Sequence, residues 1–259
     1  MSDDSSSTHH ISTGKNLPWG PLAAVAITVL SFVVAQLIGS IVVVLYPHIR
    51  NWNAAQANAW ADSIGAQFSY VLLSEVLILL VLWLFLRWRK AGWRLLGFSR
   101  WPQWRDLGYA AIGAVGYFAL YLVVLGVVGA LTDINVQQEQ DIGFQHVAGG
   151  AALVMTFVSL VVLPPIVEET VFRGFLFGGL RKQLPFVVAA IATSLLFAAP
   201  HLLESGDSSL LWVAGVDTFV LSMVLCALRE KTGALWASIG VHAIKNGIAF
   251  FVIFILHVR

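Results

Sequence analysis

The sequence has very little charge and a single cysteine. Only 11% of its 259 residues are charged, and Cys226 is the one cysteine. This excludes a framework of intramolecular disulfides and a zinc site built from several cysteines. The net charge of +1 excludes the strongly basic surface that nucleic-acid binding requires.

What the sequence has in excess is apolar residues. They make up 58% of the chain, whereas soluble domains have about 45–50% apolar and about 25% charged residues. A soluble protein of this length can bury a core without such an excess. The composition therefore predicts an all-α protein, a polytopic transmembrane helix bundle that contacts the lipid bilayer.

Stretches of about 20 mostly apolar residues are typical of membrane-spanning helices. The sequence contains such stretches at residues 22–46, 68–86, 109–131, 147–180, 185–203, 210–228 and 234–256. They predict about seven helices, or eight if Pro164-Pro165 divides the fourth stretch into two. We therefore expect a disordered cytoplasmic tail (1–17), N-terminal transmembrane helices (18–146) and a catalytic transmembrane core (147–259).

Basic and acidic residues fall in different loops. The basic residues are concentrated between two early helices, at Arg87, Arg89, Lys90, Arg94, Arg100 and Arg105. The opposite loops carry acidic residues, at Asp62, Asp133, Glu139, Asp141, Glu204 and Asp207. Because basic loops usually face the cytoplasm, we expect a multi-pass integral membrane protein with a cytoplasmic N-terminus.

Several ionisable residues fall inside the apolar stretches. A charge at the membrane centre costs at least about 2.5–3.5 kcal/mol and usually has a function. The polar positions form three clusters (Glu168, Glu169 and Arg173; His201; His242, Lys245 and Asn246) and two isolated positions, Glu75 and Asp217. For the two isolated acids we expect pairing with Lys245 or with a backbone group.

Helical spacing separates the two adjacent glutamates. Glu169 and Arg173 are four residues apart with the acid first, which favours an ion pair between them. Glu168 projects about 100° away from Glu169, towards another neighbour. His242 and Asn246 are also four residues apart, so their side chains share one helix face, where two donors could hold an oxyanion.

Counting along the helices places the three clusters at one depth. Glu168, His201 and Asn246 lie 13, 16 and 15 residues from the basic ends of their helices. At 1.5 Å per residue these separations correspond to about 20–24 Å. The sequence therefore predicts that three helices bring a carboxylate, an imidazole and a His/Asn pair to one level of the bundle.

The order of these motifs resembles the CPBP family of CAAX proteases and bacteriocin-processing enzymes, which includes the type II CAAX prenyl endopeptidases. The motifs are Glu168-Glu169-x-x-x-Arg173, Phe197-x-x-x-His201 and His242-x-x-x-Asn246, within residues 150–256. The last two are weak patterns singly. All three, in this order and inside apolar stretches, form a specific combination.

The resemblance implies an intramembrane endopeptidase of the glutamate type, which hydrolyses a peptide bond with activated water. Glu168 matches the family's general base, and His201 matches the histidine that helps to hold the water. His242 and Asn246 match the groups that stabilise the oxyanion. The resemblance further implies a peptide or protein substrate at the membrane, in some members a prenylated one, and no cofactor.

Two other hypotheses remain open at this point. A zinc protease could use His201, His242 and Glu168 or Glu169 as ligands, because two histidines and a carboxylate form a known catalytic set. The sequence lacks the HExxH motif of many such enzymes. The third hypothesis is a non-catalytic self-immunity, regulatory or carrier protein, in which Glu75, Asp217 and Lys245 line a pathway.

Overall fold

The computed structural model describes residues 17–132, 134–135, 143–144, 147–203 and 210–257. The described part is all helical, as the composition predicts. Its eight helices are α1 (Pro21–Ile49), α2 (Ala54–Ala61), α3 (Ile64–Trp88), α4 (Trp104–Leu131), α5 (Gly150–Arg181), α6 (Phe186–His201), α7 (Trp212–Thr232) and α8 (Trp236–Ile255). A short 3-10 helix, Trp93–Leu96, lies between α3 and α4.

Seven of these helices correspond to the seven predicted apolar stretches. Six are long and apolar enough to cross a membrane, whereas α6 has 16 residues and is shorter. The sequence did not predict α2, an eight-residue helix that begins with a capping box between Asn53 and Gln56. A helix this short is specified by its cap rather than by a long apolar stretch.

Helix α5 is continuous, so the prediction that Pro164-Pro165 could divide it is wrong. The helix contains two π-helical segments, Val158–Val162 and Thr170–Leu176, and the diproline begins two residues after the end of the first. A π segment shifts backbone hydrogen bonds from i→i+4 to i→i+5. The local widening accommodates two prolines, which lack the N–H groups that a regular helix needs there.

Helix α5 lies at the centre of the bundle. It contacts α1 and α3, which precede it in the chain, and α6, α7 and α8, which follow it, while α4 packs against α7 and α8. At Gly179 a Cβ atom would lie 2.5 Å from the Cβ of Ala24. The absent side chain therefore allows α1 and α5 to approach closely.

The segment before α1 packs against α5. Trp19 is 1% exposed and donates from Nε1 to the Phe175 carbonyl at 3.2 Å, and Lys182 donates to the Leu17 carbonyl at 2.8 Å. Leu17, which we predicted to be the last residue of a disordered tail, is therefore a buried part of the fold. Residues 1–16 of that tail lie outside the described part of the chain.

The basic loop between α3 and α4 is held by one ion pair. Arg100 donates two hydrogen bonds of 2.6 Å to Asp106, whose Oδ2 also accepts from the Gln103 backbone at 2.8 Å. The hydrogen bonds that Arg100 donates to Asp106 raise the pKa of the Arg100 guanidinium above its ordinary value. Of the acidic loop residues that indicated orientation, all except Asp62 lie outside the described residues.

Candidate active site

The buried glutamate of α5 binds two partners with one oxygen atom. Glu169 Oε1 accepts from Arg173 Nη1 at 2.9 Å and lies 3.0 Å from His242 Nδ1 of α8. Both members of the Glu169–Arg173 pair are fully buried, and the His242 side chain is 5% exposed. The predicted pair is therefore present, and it also holds an imidazole from another helix.

Glu168 lies on the other side of the same imidazole. Its Oε2 is 3.9 Å from His242 Nε2, beyond hydrogen-bond range, and its side chain is 18% exposed. The two adjacent glutamates therefore approach the two ring nitrogens of one histidine. The inner carboxylate is closed off from solvent, and the outer one is partly accessible.

The ring of Phe197 packs against both histidines of the site. His201 lies four residues after it on α6, with ring centroids 5.3 Å apart, and His242 contacts it from α8 with centroids 6.0 Å apart. Arg173 places its guanidinium carbon 4.4 Å from the centre of the same ring. Phe197 thus packs against three of the predicted polar residues, in keeping with its place in the FxxxH motif.

The hydrogen-bond partner of His201 fixes its neutral tautomer. Nδ1 lies 3.1 Å from the Phe197 carbonyl oxygen. Because a carbonyl can only accept, Nδ1 carries the hydrogen and Nε2 has the lone pair. For His242 the carboxylate of Glu169 likewise places a hydrogen on Nδ1, so that Nε2 faces Glu168.

Asn246 compensates for the diproline of α5. Its Nδ2 donates to the Leu160 carbonyl at 2.8 Å. In a regular α-helix that carbonyl would accept from residue 164, and in a π-helix from residue 165, but both residues are prolines. The amide of α8 therefore satisfies a carbonyl that α5 cannot satisfy itself, and it anchors α8 two turns before the glutamates.

Loss of this amide should destabilise the protein. Replacing Asn246 with alanine would leave the Leu160 carbonyl without its donor, at a cost of about 1–3 kcal/mol. Thermal unfolding in detergent measures the change. As a control, Asn58→Ala removes an exposed amide and should change stability by less than about 0.5 kcal/mol. Equal stability of Asn246→Ala and wild type would contradict this role.

The two isolated acids, Asp217 and Glu75, differ in their side-chain contacts. Asp217 pairs with Lys245 at 3.0 Å and also accepts a hydrogen bond from Tyr117, which links α4, α7 and α8. This confirms the expected pairing with Lys245 for one of the two. Glu75 is buried on α3, and its Oε2 has no hydrogen-bond partner among the described residues.

Sequence reasoning did not find three of these contacts. The Glu169–His242 contact joins residues 73 positions apart, and neither helix alone indicates it. Tyr117 resembles any other aromatic residue of a spanning helix, so it gives no signal. The contact between Asn246 and Leu160 has a signal in retrospect, because a diproline inside a long apolar helix leaves carbonyls that need donors from elsewhere.

Within the described ranges, no group of three or more His, Cys, Asp and Glu side chains is placed to hold a metal ion. The ring nitrogens of His242 instead face the two glutamates. The chemistry that this arrangement offers by itself is that of a carboxylate beside an oriented imidazole.

Comparison with known families identifies the second half of the bundle. Residues 150–248 match the family model of the type II CAAX prenyl endopeptidase Rce1-like proteins. We call residues 150–248 the Rce1-like region because this stretch is similar to that family. It runs from the start of α5 into α8 and contains every residue of the site from Glu168 to Asn246, which confirms the family resemblance drawn from the motifs.

Two curated bacterial proteins are similar to the chain over part of its length. An uncharacterized 24.3 kDa protein of Escherichia coli is 29% identical over 92 residues, which cover 35% of this chain and 40% of that protein. A protein of Bacillus subtilis (strain 168), provisionally named membrane peptidase YdiL, is 26% identical over 148 residues, or 56% of this chain and 57% of that protein. The chain therefore spans about half the length of these relatives. No solved structure matches it significantly.

Proposed function

We propose that this multi-pass membrane protein is an intramembrane endopeptidase in which Glu168 activates water. The observation that carries the proposal is the position of Glu168 Oε2, 3.9 Å from His242 Nε2, while His242 Nδ1 contacts Glu169. An oriented imidazole beside a partly exposed carboxylate suits acid–base hydrolysis. The Rce1-like region supports the assignment to membrane endopeptidases.

In this proposal Glu169 and Arg173 are positioning residues. Arg173 compensates the charge of the buried Glu169, and Glu169 holds the Nδ1–H of His242. A carboxylate in this position fixes the orientation and the tautomer of the imidazole. With Nδ1–H held by Glu169, Nε2 of His242 faces Glu168, and Nε2 carries a hydrogen when the ring is protonated.

The proposed hydrolysis uses only the residues of this site. Glu168 accepts a proton from water, with His201 helping to position the water, and the water oxygen bonds to the peptide carbonyl carbon. The oxyanion that forms accepts hydrogen bonds from His242 Nε2–H and from the second N–H of Asn246, whose first N–H binds Leu160. Glu168 then gives its proton to the leaving nitrogen as the C–N bond breaks.

Such donors have a large effect on catalysis. One well-placed oxyanion donor typically contributes about 2.7–4 kcal/mol of transition-state stabilisation. General acid–base catalysis by a positioned side chain typically contributes about 10²–10⁴-fold. The proposal therefore invokes neither a covalent intermediate nor a metal cofactor.

The substrate is proposed to be a peptide or protein segment at the membrane. The description of the matching family points to prenylated C-terminal sequences as one class, and unprenylated membrane segments are the other. We also propose that the N-terminus and the basic loop between α3 and α4 face the cytoplasm, because basic loops are retained on that side.

Metal removal tests this function against the zinc hypothesis. The full-length protein in liposomes would be exhaustively dialysed against chelator and assayed with internally quenched peptides, with and without a prenylated cysteine. We expect cleavage at the untreated rate. A loss of cleavage that zinc restores would favour a zinc protease with His201, His242 and a glutamate as ligands. No cleavage above protein-free liposomes with any peptide would favour a binding or carrier protein.

A further inference from the structure

The loop that joins α3 to α4 presents an unusual concentration of exposed positive charge. In this interfacial loop, defined here as residues 87–105, the exposed basic side chains are Arg87, Arg89, Lys90, Arg94 and Arg105. The nearest acid, Asp106, is buried and already bound to Arg100. The exposed charges therefore have no acidic residue within the loop to neutralise them.

The same loop exposes large aromatic side chains. Trp88, Trp101 and Trp104 are 72%, 84% and 88% exposed. Two arginines lie over indole rings, Arg87 at 5.4 Å from Trp83 and Arg89 at 5.4 Å from Trp88. Indole rings are stable at the level of lipid headgroups, where one part of the ring is apolar and another is hydrated.

We propose that the interfacial loop is a binding site for the headgroups of anionic phospholipids. The loop connects the ends of two apolar helices that are long enough to span the membrane, so its charges lie where headgroup phosphates lie. Guanidinium groups bind phosphate oxygens through paired hydrogen bonds. The exposed tryptophans favour a lipid surface as the partner, because at the ends of two membrane-long helices such rings are typical of the membrane–water interface.

The inner side of the loop packs against the segment of α5 that carries the site. Leu96 is fully buried, and its carbonyl oxygen would lie 2.8 Å from a Cβ atom at Gly174. Gly97, with φ of +115°, packs on the guanidinium of Arg229, whose Nε lies 3.4 Å from the Arg173 carbonyl. Bound headgroups that order the loop should therefore raise the thermal stability of the protein.

The test measures lipid binding, so it does not depend on peptidase activity. Full-length protein in a neutral detergent would be titrated with phosphatidylglycerol, phosphatidylcholine and inorganic phosphate, with binding followed by native mass spectrometry and thermal unfolding. We expect tighter binding of phosphatidylglycerol than of phosphatidylcholine, a higher unfolding temperature with phosphatidylglycerol, and weak binding of inorganic phosphate. Each basic residue near a charged membrane surface contributes about a fivefold change in affinity.

Matched substitutions locate the binding to this loop. Arg94→Gln should weaken phosphatidylglycerol binding about fivefold and Arg87→Gln/Arg94→Gln about 25-fold. Arg50→Gln, an exposed arginine beyond the opposite end of α1, should change it less than about twofold. All these residues are exposed, and unfolding without lipid checks that each variant folds.

Four results would overturn the proposal. They are equal affinity for the two phospholipids, wild-type affinity in Arg87→Gln/Arg94→Gln, an equal loss in Arg50→Gln, and inorganic phosphate binding as tight as phosphatidylglycerol binding. The last would indicate a simple anion site.

Discussion

Replacing Glu168 with glutamine is expected to lower kcat by about 10²–10⁴-fold. Glutamine has nearly the same size and fits the same position, but it cannot accept the proton from water. Because the Glu168 side chain is partly exposed and 3.9 Å from His242, the change removes a chemical group without opening a cavity. The thermal stability of the variant should therefore equal that of the wild type, and its KM should change little.

The measurement is the cleavage rate of a quenched peptide in liposomes under saturating substrate. Glu75→Gln is the matched control, since it removes another carboxylate of the bundle, on α3. We expect this control to keep the wild-type kcat. If Glu168→Gln cleaved the peptide as fast as Glu75→Gln, the carboxylate of Glu168 would not be the base, and the proposed mechanism would be wrong.

Replacing Glu169 with glutamine is expected to destabilise the whole protein. Glu169 and Arg173 are fully buried and bound to each other. Removing one partner of a buried pair typically costs about 3–5 kcal/mol, because the other charge is left uncompensated. For a chain of this size the loss corresponds to a fall of roughly 6–20 °C in the thermal midpoint. The fraction that remains folded should also be less active, because a neutral amide oxygen holds the Nδ1–H of His242 less strongly than a carboxylate does.

Two further variants separate the charge effect from other causes. Glu169→Gln/Arg173→Met removes both charges and should regain part of the stability lost in the single variant. Glu230→Gln breaks the Arg181–Glu230 pair, whose side chains are 21% and 29% exposed, and should cost less than about 1 kcal/mol. Equal thermal midpoints for Glu169→Gln and Glu230→Gln would contradict the role of the buried pair.

The helices were predictable because a bilayer imposes a strong constraint. Each spanning helix needs a long apolar stretch, so the predicted stretches correspond to α1 and α3–α8. The continuity of α5 was not predictable from the prolines alone, because the π segment before them and the donor from Asn246 depend on the tertiary structure. The cap of α2 is local and could have been read from Asn53 and Gln56.

The candidate site was predictable in its residues but not in its contacts. Helical spacing correctly indicated the Glu169–Arg173 pair, since both residues share one helix. The contact of His242 with both glutamates depends on how α8 is rotated against α5, and the sequence pattern of one helix does not determine the rotation of another. The amide of Asn246 illustrates the same point, because its partner is a backbone carbonyl that any residue type could supply.

The most direct test of the central claim follows the oxygen atom of the attacking water. Full-length protein in excess over peptide would perform a single turnover in H₂¹⁸O, and mass spectrometry would examine the new carboxyl terminus and the Glu168-containing fragment. If Glu168 acts as a base, the new carboxylate contains one ¹⁸O and Glu168 contains none. An unlabelled first product together with ¹⁸O in Glu168 would show that the carboxylate attacks the peptide itself, and would contradict water activation.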